Sequence, residues 1–252
     1  MRARTVTETS PSRPRRGATW VPNQHGAWAM LAGPLLVGIL AGGPAWVHLP
    51  LTVTWFLGYF AFFAAGLWLK SGRKARFRPP VVVYSLACIP PAVAVLLMEP
   101  GLLRWVPAFA PLLITGLVLA AERKDRSLAS GLATTAAASL MTAVAYDAGP
   151  GDDWSLAWVL TGVMAAYYVG TLLYVKTMIR ERGNRAYEVA SVAWHAVAAV
   201  LLAAVSWWLA AVFALLTVRA YAAPRLRLTP KQVGIGELVL NVLLVLVALL
   251  TV

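Results

Sequence analysis

The chain has 252 residues, 60% of them hydrophobic and only 13% charged, with a formal net charge of +12. Soluble domains average about 45–50% apolar and about 25% charged residues, so a water-soluble fold of this length would expose apolar surface it could not hide. The basic residues fall between apolar runs, where they set membrane topology and meet anionic lipid headgroups; no nucleic-acid partner is expected.

Residues 1–20 are rich in Ser, Thr, Pro and Arg and read as a disordered basic cytoplasmic tail. The apolar run that follows is full length and is succeeded by many more, so a cleaved signal peptide is not expected. A transmembrane helix needs about 20 mostly apolar residues. Nine candidates follow, at 26–45, 50–69, 80–98, 102–121, 128–146, 155–176, 188–206, 208–223 and 233–252. They are too long for barrel strands and lack polar–apolar alternation. Lipid admits only helices or closed barrels. The expected fold is an all-α, polytopic membrane bundle, with residues 21–252 as one transmembrane domain. The breaks carry turn chemistry: Ser71-Gly72, Pro79-Pro80, Gly149 to Asp153, Gly183-Asn184 and Pro224.

The count turns on residues 188–223, where Ser206-Trp207-Trp208 is the only break. A single helix there would be about 54 Å long at 1.5 Å per residue, against a hydrocarbon core of about 30 Å. Tryptophans also suit an interfacial turn. With nine spans, the tail, 70–78, 122–126, 176–185 and 219–231 share one side and hold 21 of the 22 Lys and Arg residues; Arg104 is the exception. This is the bias of the positive-inside rule and places the N-terminus inside and the C-terminus outside.

Four polar clusters lie at the basic ends of the helices. Asn23, Gln24, His25 and Trp28 stand at the mouth of the first, where a helix N-terminus attracts anions and Trp28 suits headgroup depth. Glu122 and Asp125 lie in the basic 122–126 loop. Lys176, Arg180 and Asn184 recur every fourth residue beside Glu181, a stripe that can hold phosphate or mark topology. His195, Glu237 and Asn241 lie inside spans; Glu237 and Asn241 share a helix face. Ionisable groups within a span are costly and normally face the bundle interior. The sequence therefore predicts one polar pocket joining His25, Arg180, Glu181 and Glu237. Cys88 stands alone, which excludes an internal disulfide and a multi-cysteine metal site. His25, His48 and His195 are dispersed, and neither metal nor cofactor is expected. There is no Walker loop, GxGxxG, HExxH or CxxC.

Pro22-Asn23-Gln24-His25-Gly26-Ala27-Trp28-Ala29-Met30-Leu31 resembles the YwiC-like membrane protein family. The likeness extends through Lys176 to Arg182 and Pro230 to Gly234 and brings no established activity. A looser resemblance is to UbiA-type prenyltransferases, also nine-helix proteins, which implies an isoprenoid or lipid-phosphate ligand. Their chemistry needs paired acidic motifs to hold Mg²⁺. The matching loop here, Lys70 to Arg78, has no carboxylate, and only Glu181 stands near the sixth helix. Three readings result. The leading one, given the sparse chemistry, is a non-catalytic membrane partner or assembly factor. The others are a lipid-phosphate-binding or prenyl-transfer enzyme with a cytoplasmic-side cavity, and a small-solute transporter.

Overall fold

The computed structural model describes residues 20–22, 25–226 and 228–252, the His25 side chain excepted. The expected tail, Asn23, Gln24 and the side chain of His25 therefore lie outside the described residues.

The described residues form nine α-helices and no strand, as expected for an all-α bundle. They are α1 (His25–Gly42), α2 (His48–Lys70), α3 (Arg78–Met98), α4 (Val106–Ala121), α5 (Leu128–Asp147), α6 (Trp154–Ile179), α7 (Arg185–Leu202), α8 (Trp207–Ala222) and α9 (Pro230–Thr251). Short 3-10 turns lead into α3 and α4 and follow α8. Seven of the nine are long and apolar enough to cross a membrane, counting the 3-10 turns of α3, α4 and α8. The other two are α1, whose apolar stretch Gly26–Gly42 is shorter, and α7, which carries Arg185, Glu188, Ser191 and His195. The chain is a multi-pass membrane protein.

Helix ends fall where the local chemistry requires. Ser127, Asp153 and Asn184 cap α5, α6 and α7 with their side chains. Thr229 and Gln232 form a reciprocal capping box at the start of α9, with Pro230 at the first helical position. Gly183 takes φ +79 just beyond α6, a left-handed turn that costs glycine nothing. After Leu202 the chain turns, and α8 starts at Trp207, so the break at Ser206-Trp207-Trp208 is real.

The helices pack as a centre with two flanks. At the centre, α1, α5 and α6 all contact one another. On one flank α4 packs on α5 while α2 packs against α3 and α4; on the other α7 and α8 pair, and α9 lies against α1, α6 and α8. The α1–α5 seam is built from small residues. A Cβ on Gly38 would strike the Thr142 carbonyl and come within 2.7 Å of the Ala145 methyl, and one on Gly42 would lie 2.6 Å from the Tyr146 carbonyl. Glycines four apart allow this backbone approach, the usual device where lipid gives helices no hydrophobic reason to associate.

Cross-links gather the basic segments at one end of the bundle. Lys70 reaches Asp125 at 2.9 Å, Lys176 Nζ donates to the Arg126 carbonyl at 2.8 Å, and Tyr174, Met178, Ala220, Ala223 and Val233 form one apolar cluster. At the other end Arg104 and Trp105 Nε1 both donate to Asp147, and Ser206 bonds Thr251.

Candidate functional site

The polar interior is organised around one stretch of α6, residues 167–174. Glu237, the eighth residue of α9, lies about 10 Å along its helix from the basic end at 1.5 Å per residue. It is buried. One carboxylate oxygen pairs with Arg219 Nη1 from the last turn of α8, and the other accepts from Thr171 Oγ1 at 2.8 Å. Tyr167 OH donates to the Glu237 backbone carbonyl at 2.9 Å. The Arg219 guanidinium stacks 3.9 Å from the ring centroid of Tyr174. One turn deeper, Asn241 Nδ2 donates to Tyr168 OH at 2.8 Å, and that hydroxyl donates to the Ala29 carbonyl of α1 at 3.0 Å. Gly33 of α1 makes room, because a Cβ there would lie 2.5 Å from the Tyr168 oxygen.

The inner face of α7 completes the arrangement. Ser191, His195, Ala198 and Leu202 are buried while Val197, Val200 and Leu201 point outward. This is a helix turned inside out relative to a soluble one, with its polar stripe inward as lipid requires. His195 has no exposed surface, and its Nδ1–H donates to the Ser191 carbonyl at 2.7 Å. Its Nε2 is held against Gly170, where a Cβ would sit 2.6 Å away. Four buried polar atoms here have no hydrogen-bond partner: His195 Nε2, Ser191 Oγ, and Nε and Nη2 of Arg219.

The expected site residues divide accordingly. Glu237 and Asn241 enter this network, and His195 reaches its edge through α6 rather than by packing on α9. Asn23, Gln24 and the His25 side chain lie outside the described residues, and the other expected residues lie toward the basic end. Glu122 pairs with Lys124, and Asp125 with Lys70. Lys176 is buried against the Arg126 carbonyl. Arg180 is exposed at the end of α6, and Glu181 accepts from Asn184 Nδ2 at 2.9 Å within the same loop. Trp28 packs on Phe56 and Phe60 of α2. No hydrogen bond or ion pair among the described residues joins Arg180 or Glu181 to Glu237.

Arg219, Thr171, Tyr167, Tyr168, Tyr174 and Ser191 are absent from the sequence-derived site. Arg219 counts there only as a topology charge, although it sits in the last turn of a span, where a basic residue can point inward or toward headgroups. No group of three or more His, Cys, Asp or Glu side chains converges among the described residues as metal ligands would.

The YwiC-like protein family matches residues 21–146. An uncharacterized protein YwiC of Bacillus subtilis (strain 168) is 31% identical over 179 residues, spanning 69% of this chain and 73% of its own. An uncharacterized protein of Haemophilus influenzae is 28% identical over 219 residues, spanning 86% of this chain and 92% of its own. No solved structure matches the chain.

Proposed function

The chain belongs to the YwiC-like protein family, and we propose that this member carries a small polar solute across the membrane, with the network between α6, α7, α8 and α9 as its binding site. The observation that carries this reading is the buried Arg219–Glu237 pair, held between two spans and surrounded by hydroxyls, with partnerless polar atoms beside it. Ion pairs inside a membrane cost stability and mark solute or proton paths. The basic end is the cytoplasmic one on this reading, the membrane is the cell membrane, and residues 21–252 act as one domain behind a basic tail. The rim of Lys70, Lys176 and Arg180 suits anionic lipid headgroups.

Thiol accessibility tests the carrier reading. Cys88 is the only cysteine, so a Cys88→Ser background carrying Thr171→Cys reports on the network alone. A membrane-impermeant thiol reagent is expected to label Thr171→Cys from both sides in sealed vesicles of opposite orientation, and Ala157→Cys from neither. Protection of Thr171→Cys from both sides would leave a rigid structural network and remove the carrier. Orientation has its own test: reporter fusions after Arg78 and Arg126 should read cytoplasmic, and one after Val252 extracytoplasmic. A cytoplasmic reading at Val252 contradicts the nine-span topology.

A second reading, a non-catalytic membrane partner, draws support from the α2–α4 flank. The apolar windows of α2, α3 and α4 are only 11%, 6% and 6% buried within the chain, against 61% for α5. Photo-crosslinkers at Leu86 and Val93 should yield one discrete protein adduct if a partner covers this flank, and lipid adducts only if it does not. The lipid-phosphate enzyme has less support, because Glu122 and Asp125 are paired with lysines on the rim, away from the buried network.

A further inference from the structure

A guanidinium offers a carboxylate or other oxyanion two kinds of contact. One is the fork formed by Nε–H and Nη2–H along one edge; the other is a single terminal nitrogen. Among the described residues, one arginine meets a carboxylate in each way. Arg104, at the end away from the basic loops, gives its fork to Asp147: Nε donates to Oδ2 at 2.9 Å and Nη2 to Oδ1. Arg219 meets Glu237 only through Nη1, while its Nε and Nη2 are buried and without partner. The face of the same guanidinium is stacked on Tyr174. The ion pair therefore leaves open the edge best shaped for an oxyanion.

Other unsatisfied groups lie on α7, which packs against α8. His195 and Ser191 are both fully buried, and Nε2 and Oγ lack partners. Because Nδ1 donates to the Ser191 carbonyl, the neutral ring presents Nε2 as an acceptor. A ligand on the Arg219 edge would meet two parallel donors. Tyr168 fills the space beside Gly33 and His195 the space beside Gly170, so the ligand must be small.

Charge fixes the rest. Arg219 and Glu237 have side-chain exposures of 14% and 8%, and a net buried charge in a span is expensive. The pair is neutral, so a monoanion entering alone would leave the site negative. We infer that the Nε/Nη2 edge of Arg219 binds a small monovalent oxyanion, a carboxylate or sulfonate, and that the anion enters together with one proton, which Glu237 accepts. The balance is simple: the anion and a proton join the Arg219–Glu237 pair, giving an Arg219–anion pair and a neutral Glu237 carboxyl, with total charge unchanged. Of the other titratable groups on the surrounding helices, Tyr167, Tyr168 and Tyr174 on α6 and His195 on α7 lie in the polar interior, Lys176 donates to the Arg126 carbonyl, and Arg185, Tyr187, Glu188, Tyr221 and Lys231 lie at the helix ends. The tyrosines are neutral, and His195 accepting the proton instead is the competing outcome.

This inference rests on the carrier reading and specifies its substrate class, but it is tested by binding alone, so that transport can fail without it. The probe is sodium methanesulfonate, the anion of a strong acid with no proton of its own, added to the purified full-length protein in lipid nanodiscs. Saturable binding is expected, with uptake of about one proton per anion, and affinity should fall about tenfold for each unit of rising pH once Glu237 is ionised. Arg219→Lys keeps the charge but loses the fork and should weaken binding by about tenfold or more, the worth of one charge-assisted hydrogen bond. Glu237→Gln should bind with an affinity independent of pH and take up no proton. Should that variant fail to fold, Thr171→Val serves: it removes the donor that favours ionised Glu237, so binding should tighten while still taking up one proton. Absence of saturable wild-type binding between about pH 5 and about pH 8 overturns the site. Binding without proton uptake overturns the coupling, and uptake persisting in Glu237→Gln moves the proton to His195.

Discussion

Arg219→Leu is expected to destabilise the folded protein by about 3–5 kcal/mol, because it strands a buried carboxylate without its counter-charge. Thr171 and Tyr167 would still contact Glu237, but neither carries charge. The double variant Arg219→Leu/Glu237→Leu should recover most of the loss, since apolar groups of similar volume replace a buried pair at little cost. Unfolding in graded detergent mixtures, read by tryptophan fluorescence, would measure all three proteins. If the double variant is as unstable as the single one, the two residues are not a coupled pair. Function should follow a different rule: the double variant, although stable, should bind no anion.

Gly38→Leu is expected to be the most damaging change remote from the polar network. Its side chain would have to enter the Thr142 carbonyl and the Ala145 methyl on α5. Overpacking costs typically about 1–3 kcal/mol, and more where backbone has to move; here the obstacle is backbone. The expected result is loss of the monodisperse peak in size-exclusion chromatography in detergent. Gly162→Ala on α6 is the matched control, because a Cβ there meets nothing within 4 Å. It should leave the peak unchanged and stabilise the helix by up to about 1 kcal/mol. Equal tolerance of both substitutions would contradict the close α1–α5 seam.

The helices were readable because membrane spans announce themselves by length and apolarity. The expected 128–146 and observed Leu128–Asp147 differ by one residue, and the break before Trp207 follows from helix length against bilayer thickness. Where polar side chains point was harder to read. Glu237 and Asn241 stand out because they interrupt an apolar run. Arg219 does not, since it sits where a topology charge is equally expected, and only the angular position of α8 turns it toward α9. Tyr167 and Tyr168 gave no signal either, because tyrosine in a span is as often packing as hydrogen bonding; their roles depend on the Glu237 and Ala29 carbonyls of distant helices. Arg180 and Glu181 point to a pocket because they put a base and a carboxylate near the same boundary as Glu237, whereas the loop after α6 pairs Glu181 with Asn184.

The Arg219–Glu237 pair also constrains the order in which the protein can mature. Arg219 lies on the eighth helix and its counter-ion on the ninth, which leaves the ribosome after it. At a synthesis rate of about 5–20 residues per second, Glu237 follows Arg219 by roughly one to four seconds. During that interval α8 holds a cation without its protein counter-ion, and the headgroup layer is the place where such a charge costs least. A chain halted before residue 230 would never leave that state. The buried cation of α8 thus gains its counter-charge only once α9 is made and packed beside it.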